Sequence, residues 1–287
     1  MPLKFIVRAG AGVALLSHGL LTLTLWTLSA TAAEGRSMPD ATAGADSAAA
    51  KGHAIAARSD RSDRGFGDSE VELQMILRNR AGDEATRALR ITTLEVPDET
   101  VGDKSLVVFD EPRDIAGTAF LSHAKILEAD DQWLYLPSLR RVKRISSANK
   151  SGPFLGSEFA FEDFTAQELE KFDYRFVRTE PCGDLVCDVI ELTPRYEHSG
   201  YTRLLAWIDQ TDHQYRRIEF FDRGGEALKT LEIDAYRQYE GGIWRGHRQT
   251  MTNHKNGKTS IFVYGDYAFG VGLTDDDFVK SVLRRTR

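Results

Sequence analysis

A period of two runs through most of this chain and constrains its fold more than any other feature. In VELQMILR, Val71, Leu73, Met75 and Leu77 fall on one side, while Glu72, Gln74 and Arg78 fall largely on the other. In LEIDAY, Leu231, Ile233 and Ala235 alternate with Glu232, Asp234 and Tyr236. Successive side chains of a strand point to opposite faces, so this pattern specifies half-buried antiparallel strands. Turn residues separate the runs at Ala81-Gly82-Asp83, Asp130-Asp131, Gly224-Gly225, Gly241-Gly242 and Asn256-Gly257, and the last predicts a type I′ hairpin. The breaks predict about eleven to thirteen strands, at the spacing expected of a sheet that curls into a barrel or sandwich. The fold class is therefore mainly β (α+β), with few helices. One short helix is expected over residues 52–67. A second should open at the capping box of Thr165 and Glu168 and run to about Phe172. A third should start at Thr274, with acidic residues in its first turn and Arg284 and Arg285 at its end.

The N-terminal residues carry an export pattern. Lys4 and Arg8 precede an apolar run through Leu28, and small residues at Ala30, Thr31, Ala32 and Ala33 offer a cleavage site near Ala33. That is the layout of a secretory signal peptide over residues 1–33. Residues 34–51, rich in Ala, Gly, Ser and Asp, are expected to form a disordered tether. The folded domain is then residues 52–287. The formal charge is -6, and removing Lys4 and Arg8 with the signal takes it to -8. Such a balance argues against nucleic-acid binding. Beyond the signal no apolar run approaches the roughly 20 residues of a membrane span, so an exported periplasmic protein is expected. Cys182 and Cys187 flank Gly183-Asp184 between two strand-like runs, where a disulfide would staple the mouth of a hairpin.

Catalytic and metal signatures are missing from the sequence. The seven histidines are scattered, with no H-E-x-x-H spacing, and no G-x-S-x-G elbow occurs. The stretch Gly152-Pro153-Phe154-Leu155-Gly156-Ser157 lacks the lysine of a phosphate loop. No enzyme activity, cofactor or metal is therefore expected. What stands out is residues 117–164, where Phe120, Trp133, Tyr135, Phe154, Phe159, Phe161 and Phe164 crowd together with Leu155. The last four rings sit in a segment broken by Gly152, Pro153 and Gly156, as in a mobile loop that covers an apolar cavity and moves aside for a ligand. Phe120 and Trp133 fit an ordinary core equally well. The basic run of Arg140, Arg141, Lys143 and Arg144 has two readings: a solvated edge strand, or a cationic patch for lipid phosphates or an acidic partner.

At GTAFL (117–121), DDQWLYLPSLRRVKRIS (130–146) and SGPFLGSEFAFEDF (151–164), the chain resembles the exported outer-membrane lipoprotein-sorting proteins of the LolA/LolB-like superfamily. The match is closer to its less characterised LolA-like branch. The resemblance implies a curved antiparallel sheet forming an unclosed barrel, with helices covering the open side. It also implies an apolar cavity that takes acyl chains of lipoproteins, or other lipids, across the periplasm. The implied partners are a lipid or lipoprotein acyl chain and an inner-membrane transporter, with the carrier itself a monomer. A non-catalytic accessory subunit of an envelope lipid or efflux transporter is the alternative. No residue matches the key arginine of the better-known carriers.

Overall fold

The computed structural model describes residues 41–98, 101–126, 128–164 and 168–286. The expected signal peptide and residues 34–40 lie outside them. Fourteen strands form one antiparallel sheet among the described residues. The first six are β1 (Asp68–Arg78), β2 (Glu84–Leu94), β3 (Val101–Glu111), β4 (Ala119–Lys125), β5 (Asp131–Leu136) and β6 (Arg141–Ile145). The rest are β7 (Phe172–Cys182), β8 (Leu185–Pro194), β9 (Tyr201–Asp209), β10 (Tyr215–Asp222), β11 (Ala227–Gln238), β12 (Trp244–Asn253), β13 (Thr259–Tyr264) and β14 (Ala268–Phe269).

Their spatial order is β6-β5-β4-β3-β2-β1-β13-β12-β11-β10-β9-β8-β7, with β14 paired to β1. The chain thus runs outward from β1 to one edge at β6, then resumes at the opposite edge with β7 and meanders inward to β13. The two meanders join at the sheet centre, where Leu73 faces Tyr264 and Met75 faces Phe262. The sheet is not closed into a barrel. At one corner Lys171, just before the edge strand β7, pairs with Asp130, just before β5, at 2.8 Å.

The period of two sets the faces. Along β1, Ser69, Val71, Leu73 and Met75 are buried while Glu72 and Gln74 are exposed. The concave face gathers the main core, including Leu89, Phe109, Phe120, Leu204, Ile218, Phe220, Leu231, Met251 and Phe262. On the convex face Leu106, Val108, Leu121 and Trp133 form a second cluster under Phe278 and Leu283 of the C-terminal segment. The Cys182–Cys187 disulfide closes the β7–β8 hairpin, with Cα atoms 5.8 Å apart.

One α-helix occurs among the described residues, α1 (Ala41–Asp63). It begins eleven residues before the expected start, so residues 41–51 are helical rather than a tether. The Ala-rich composition that reads as too polar to fold is also that of a strong helix former. The face of α1 with Ile55 and Ala56 joins the concave core. Gly52 permits its approach to β7: a Cβ there would lie 2.6 Å from the backbone N of Phe176.

The other expected helices are shorter than their caps suggest. Residues 165–167 lie outside the described set, and the chain beyond them makes only a single 3-10 turn, Leu169–Lys171. The Thr274–Asp277 capping box forms, but its turn ends at Val279, whose backbone is extended. A separate 3-10 turn then spans Val282–Arg284. The break lets Phe278 and Leu283 both bury against the convex face, which one continuous helix need not do. Nor does Asn256-Gly257 make a type I′ turn. Only Gly257 takes positive φ, and four residues separate the pair Asn253 and Lys258, whose N–H and C=O are 2.9 Å apart. The Asn253 side chain accepts from the Lys255 N–H at 2.9 Å and so favours the longer loop. On β11 the alternation also breaks, because Ala235 adopts φ 54° and is exposed, while Tyr236 is half-buried.

Candidate functional site

The topology dictates where the Phe-rich segment goes. Residues 146–171 must carry the chain from the β6 edge to the β7 edge, and they do so across the concave face. A segment crossing a core needs apolar side chains, and the rings supply them. Phe154, fully buried, lies 4.0 Å centroid to centroid from Phe164 and 5.3 Å from Phe120. Phe161 is 5.5 Å from Phe120, and Phe159 stacks on Phe262 of β13 at 4.4 Å. Leu155, at the tip with φ 47°, offers its carbonyl to Arg87 of β2 at 2.5 Å.

Polar anchors from many strands fix the segment. Ser260 Oγ accepts the Glu158 N–H at 2.9 Å, and Asn253 Nδ2 donates to the Glu158 carboxylate at 2.6 Å. Gln132 Nε2 donates to the Phe161 carbonyl at 2.9 Å. At its neck, Lys150 Nζ donates to the Asp130 carbonyl at 2.7 Å and Lys171 Nζ to the Asp130 carboxylate at 2.8 Å. The Gly/Pro-broken stretch is thus a seated plug in the structure.

The 3-10 turn Phe161–Phe164 sends its rings and its acids in different directions. Glu162 is buried and accepts from the Gly200 N–H at 2.9 Å and from the hydroxyls of Ser199 and Tyr196 at 3.1 and 3.2 Å. Burial, followed by the adjacent Asp163 charge, raises its pKa. Asp163 accepts from Tyr201 Oη at 2.7 Å, the Ala160 N–H at 2.7 Å and Lys229 Nζ at 2.6 Å. The Lys229 and Asp163 side chains are only 4% and 8% exposed. Sequence inspection passed over this pair, although the parity of β11 places Lys229 in the same row as Leu231 and Ile233. A lysine in an inward row is the signal that could have found it.

Beside the plug lies a cavity of about 910 Å³ between the sheet and α1. Val71, Ile91, Val107, Phe159, Phe164 and Phe262 form its apolar wall, and Tyr174, Tyr215, Tyr236, Tyr264 and Tyr267 add rings with polar ends. Its rim is rich in carboxylates, with Asp60, Asp63, Glu95, Asp103 and Glu168 against Arg64, Lys104 and Arg245. An anionic head group would meet like charge there. Burial pushes the Asp103 carboxyl up to about 6, against a 2.9 Å hydrogen bond from the Val96 N–H that favours its charged form. Glu168 is raised as well, by burial first and then by Asp103. Ser122 Oγ, on the wall, is buried with no hydrogen-bond partner among the described residues, so a ligand hydroxyl or carbonyl would find a contact there.

The other residues singled out from the sequence lie elsewhere. Trp133 and Tyr135 pack in the convex cluster, with Lys280 Nζ 4.7 Å from the Trp133 ring centroid. Phe120 is in the concave core against the plug. Arg140, Arg141, Lys143 and Arg144 are all exposed on or beside the edge strand β6, and Arg144 pairs with Asp131. None of the four lines the cavity. No helix among the described residues is long and apolar enough to cross a membrane.

A protein-family profile described as "Uncharacterized protein" matches residues 102–285. A solved domain described as an outer membrane lipoprotein-sorting protein, from Vibrio parahaemolyticus, is 46% identical, with a TM-score of 0.80. The likeness covers 83% of this chain and 100% of that one. The chain belongs to the family of that outer membrane lipoprotein-sorting domain. A DUF1329 family protein from Desulfovibrio piger is 26% identical over 82% of this chain and 99% of its own, with a TM-score of 0.78. A LolA superfamily protein from Nitrosomonas europaea, 23% identical, shares the fold with a TM-score of 0.64 over 80% of this chain and 98% of its own. No curated protein matches the chain.

Proposed function

We propose that the chain is a periplasmic carrier that holds an acyl chain or other hydrophobic lipid in the concave cavity, without covalent chemistry, and moves it between membranes. The observation that carries this reading is the coexistence of a cavity of about 910 Å³, apolar along one wall and acidic at its rim, with an aromatic plug seated beside it. A cavity of that size takes a ligand of lipid dimensions. Each buried methylene contributes about 0.8 kcal/mol, so a long chain binds well without specific polar contacts. Phe154, Phe159, Phe161 and Phe164 are the gate, with Phe120 as their seat and Leu155 at the tip. The exposed basic strand β6 meets lipid phosphates or an acidic partner such as an inner-membrane transporter.

Native mass spectrometry of gently purified protein tests the reading. Co-purifying lipid that is retained by wild type and lost when Val107→Trp fills the cavity supports it. Protein that is empty and also ignores added lipids contradicts it. Recovery of a membrane transporter by an always lipid-free protein would instead favour an accessory-subunit role.

A further inference from the structure

Beyond the plug a second, smaller space of about 250 Å³ opens between the Phe161–Phe164 turn and strands β9 to β11. Its inner wall includes Leu204, Ile218, Phe220 and Leu231, all buried. The two spaces share Phe159, Asp163, Tyr215, Ile233 and Gln249 as lining residues, so these side chains stand as a partition between them. The partition is held on the far side by the Asp163–Lys229 ion pair and the Tyr201 hydroxyl. Lys229 is further enclosed by the Tyr201 and Phe220 rings, at 5.2 and 5.1 Å.

We infer that this second chamber is a subsite for the distal end of an apolar chain, and that Phe159 with the Asp163–Lys229 pair sets how far a chain reaches. The inference rests on the carrier reading and adds a chain-length selector to it. A chain whose tail passes Phe159 exchanges water for Leu204, Ile218 and Leu231, and a shorter chain stops in the main cavity. An ionic partition suits that task. Two buried charges held together resist casual opening, yet the pair stays intact when a chain slides past on its apolar side.

Monoacylglycerols are suitable probes, because their uncharged head avoids the acidic rim. Wild type and two chamber-filling variants, Ile218→Phe and Leu231→Phe, would be titrated with monolaurin, monopalmitin and monoarachidin, each variant first checked for folding by circular dichroism. Each methylene kept out of the chamber weakens binding about fourfold. The ratio of monoarachidin to monolaurin affinity should therefore fall at least about tenfold in either variant that folds. In the paired variant Asp163→Asn with Lys229→Met, which removes both charges together, the ratio should rise. Binding by all proteins with an unchanged ratio overturns the chamber while leaving the carrier reading intact. Absence of binding to wild type overturns both.

Discussion

Lys229 stands in an inward row with Leu231 and Ile233, and its burial is tolerable only because Asp163 stands opposite at 2.6 Å. Removing one member leaves the other charged and buried. Lys229→Met is therefore expected to lower stability by about 3 kcal/mol, whereas the double change with Asp163→Asn should restore much of it, as a double-mutant cycle in urea would read. Asp103 makes the opposite kind of demand. With its pKa pushed from 3.8 up to about 6, the folded chain keeps a proton there that the unfolded chain has already released. Its contribution to stability is present at low pH and lost as pH rises through about 6. Asp103→Asn, a standing mimic of the protonated form, should be more stable than wild type at neutral pH and should flatten the fall in melting temperature across that window. Glu168, also raised, leaves a residual slope. Neither effect was legible in the sequence. Parity reveals a lysine facing inward, but not the partner that a distant turn brings to it, and burial of Asp103 depends on Glu95, Glu168 and α1 converging from three separate segments.

Among the elements, the strands were the legible part, because a two-residue period survives wherever one face is buried. The β7–β8 hairpin followed from turn chemistry, and its disulfide from that turn together with the expected export of the chain. Replacing both Cys182 and Cys187 by Ser should cost about 2 kcal/mol and preserve the fold, since the bond closes only a short loop, and denaturant unfolding checks it. Helices were less legible. A capping box marks where a helix begins, but whether the chain continues depends on what Phe278 and Leu283 must reach. Helix α1 was missed over residues 41–51 because an Ala-rich run has high propensity and little apolar surface, and docking on β7 decides the outcome. Gly52 is a point of close approach. Gly52→Val, which would drive its Cβ into the Phe176 backbone, should lower stability by roughly 1–3 kcal/mol and raise hydrogen exchange across the helix. The Phe-rich segment was recognised as exceptional, while its role as a crossing between the two edges became visible only from the strand order.

For the whole molecule, two meanders joined at β1 and β13 make one curled sheet, with the Asp130–Lys171 pair bridging the starts of β5 and β7. The curl creates the concave face, the crossing segment fills part of it, and α1 covers the remainder, leaving a cavity whose wall is apolar and whose rim is acidic. The strand number pointed to a barrel or sandwich, and only the family resemblance implied that the sheet stays unclosed. The division of residues 117–164 between two faces was not, since alternation assigns parity without saying which side is hollow. The central claim is that the hollow holds a lipid chain. Photo-cross-linking with a diazirine-bearing monoacylglycerol, with peptide mapping of the labelled protein, tests it most directly. Labels concentrated on Val71, Ile91, Val107 and Tyr264, and displaced by unmodified monopalmitin, are the predicted result. Labels confined to the outer face around Trp133 and β6, or no displaceable labelling at all, would contradict it.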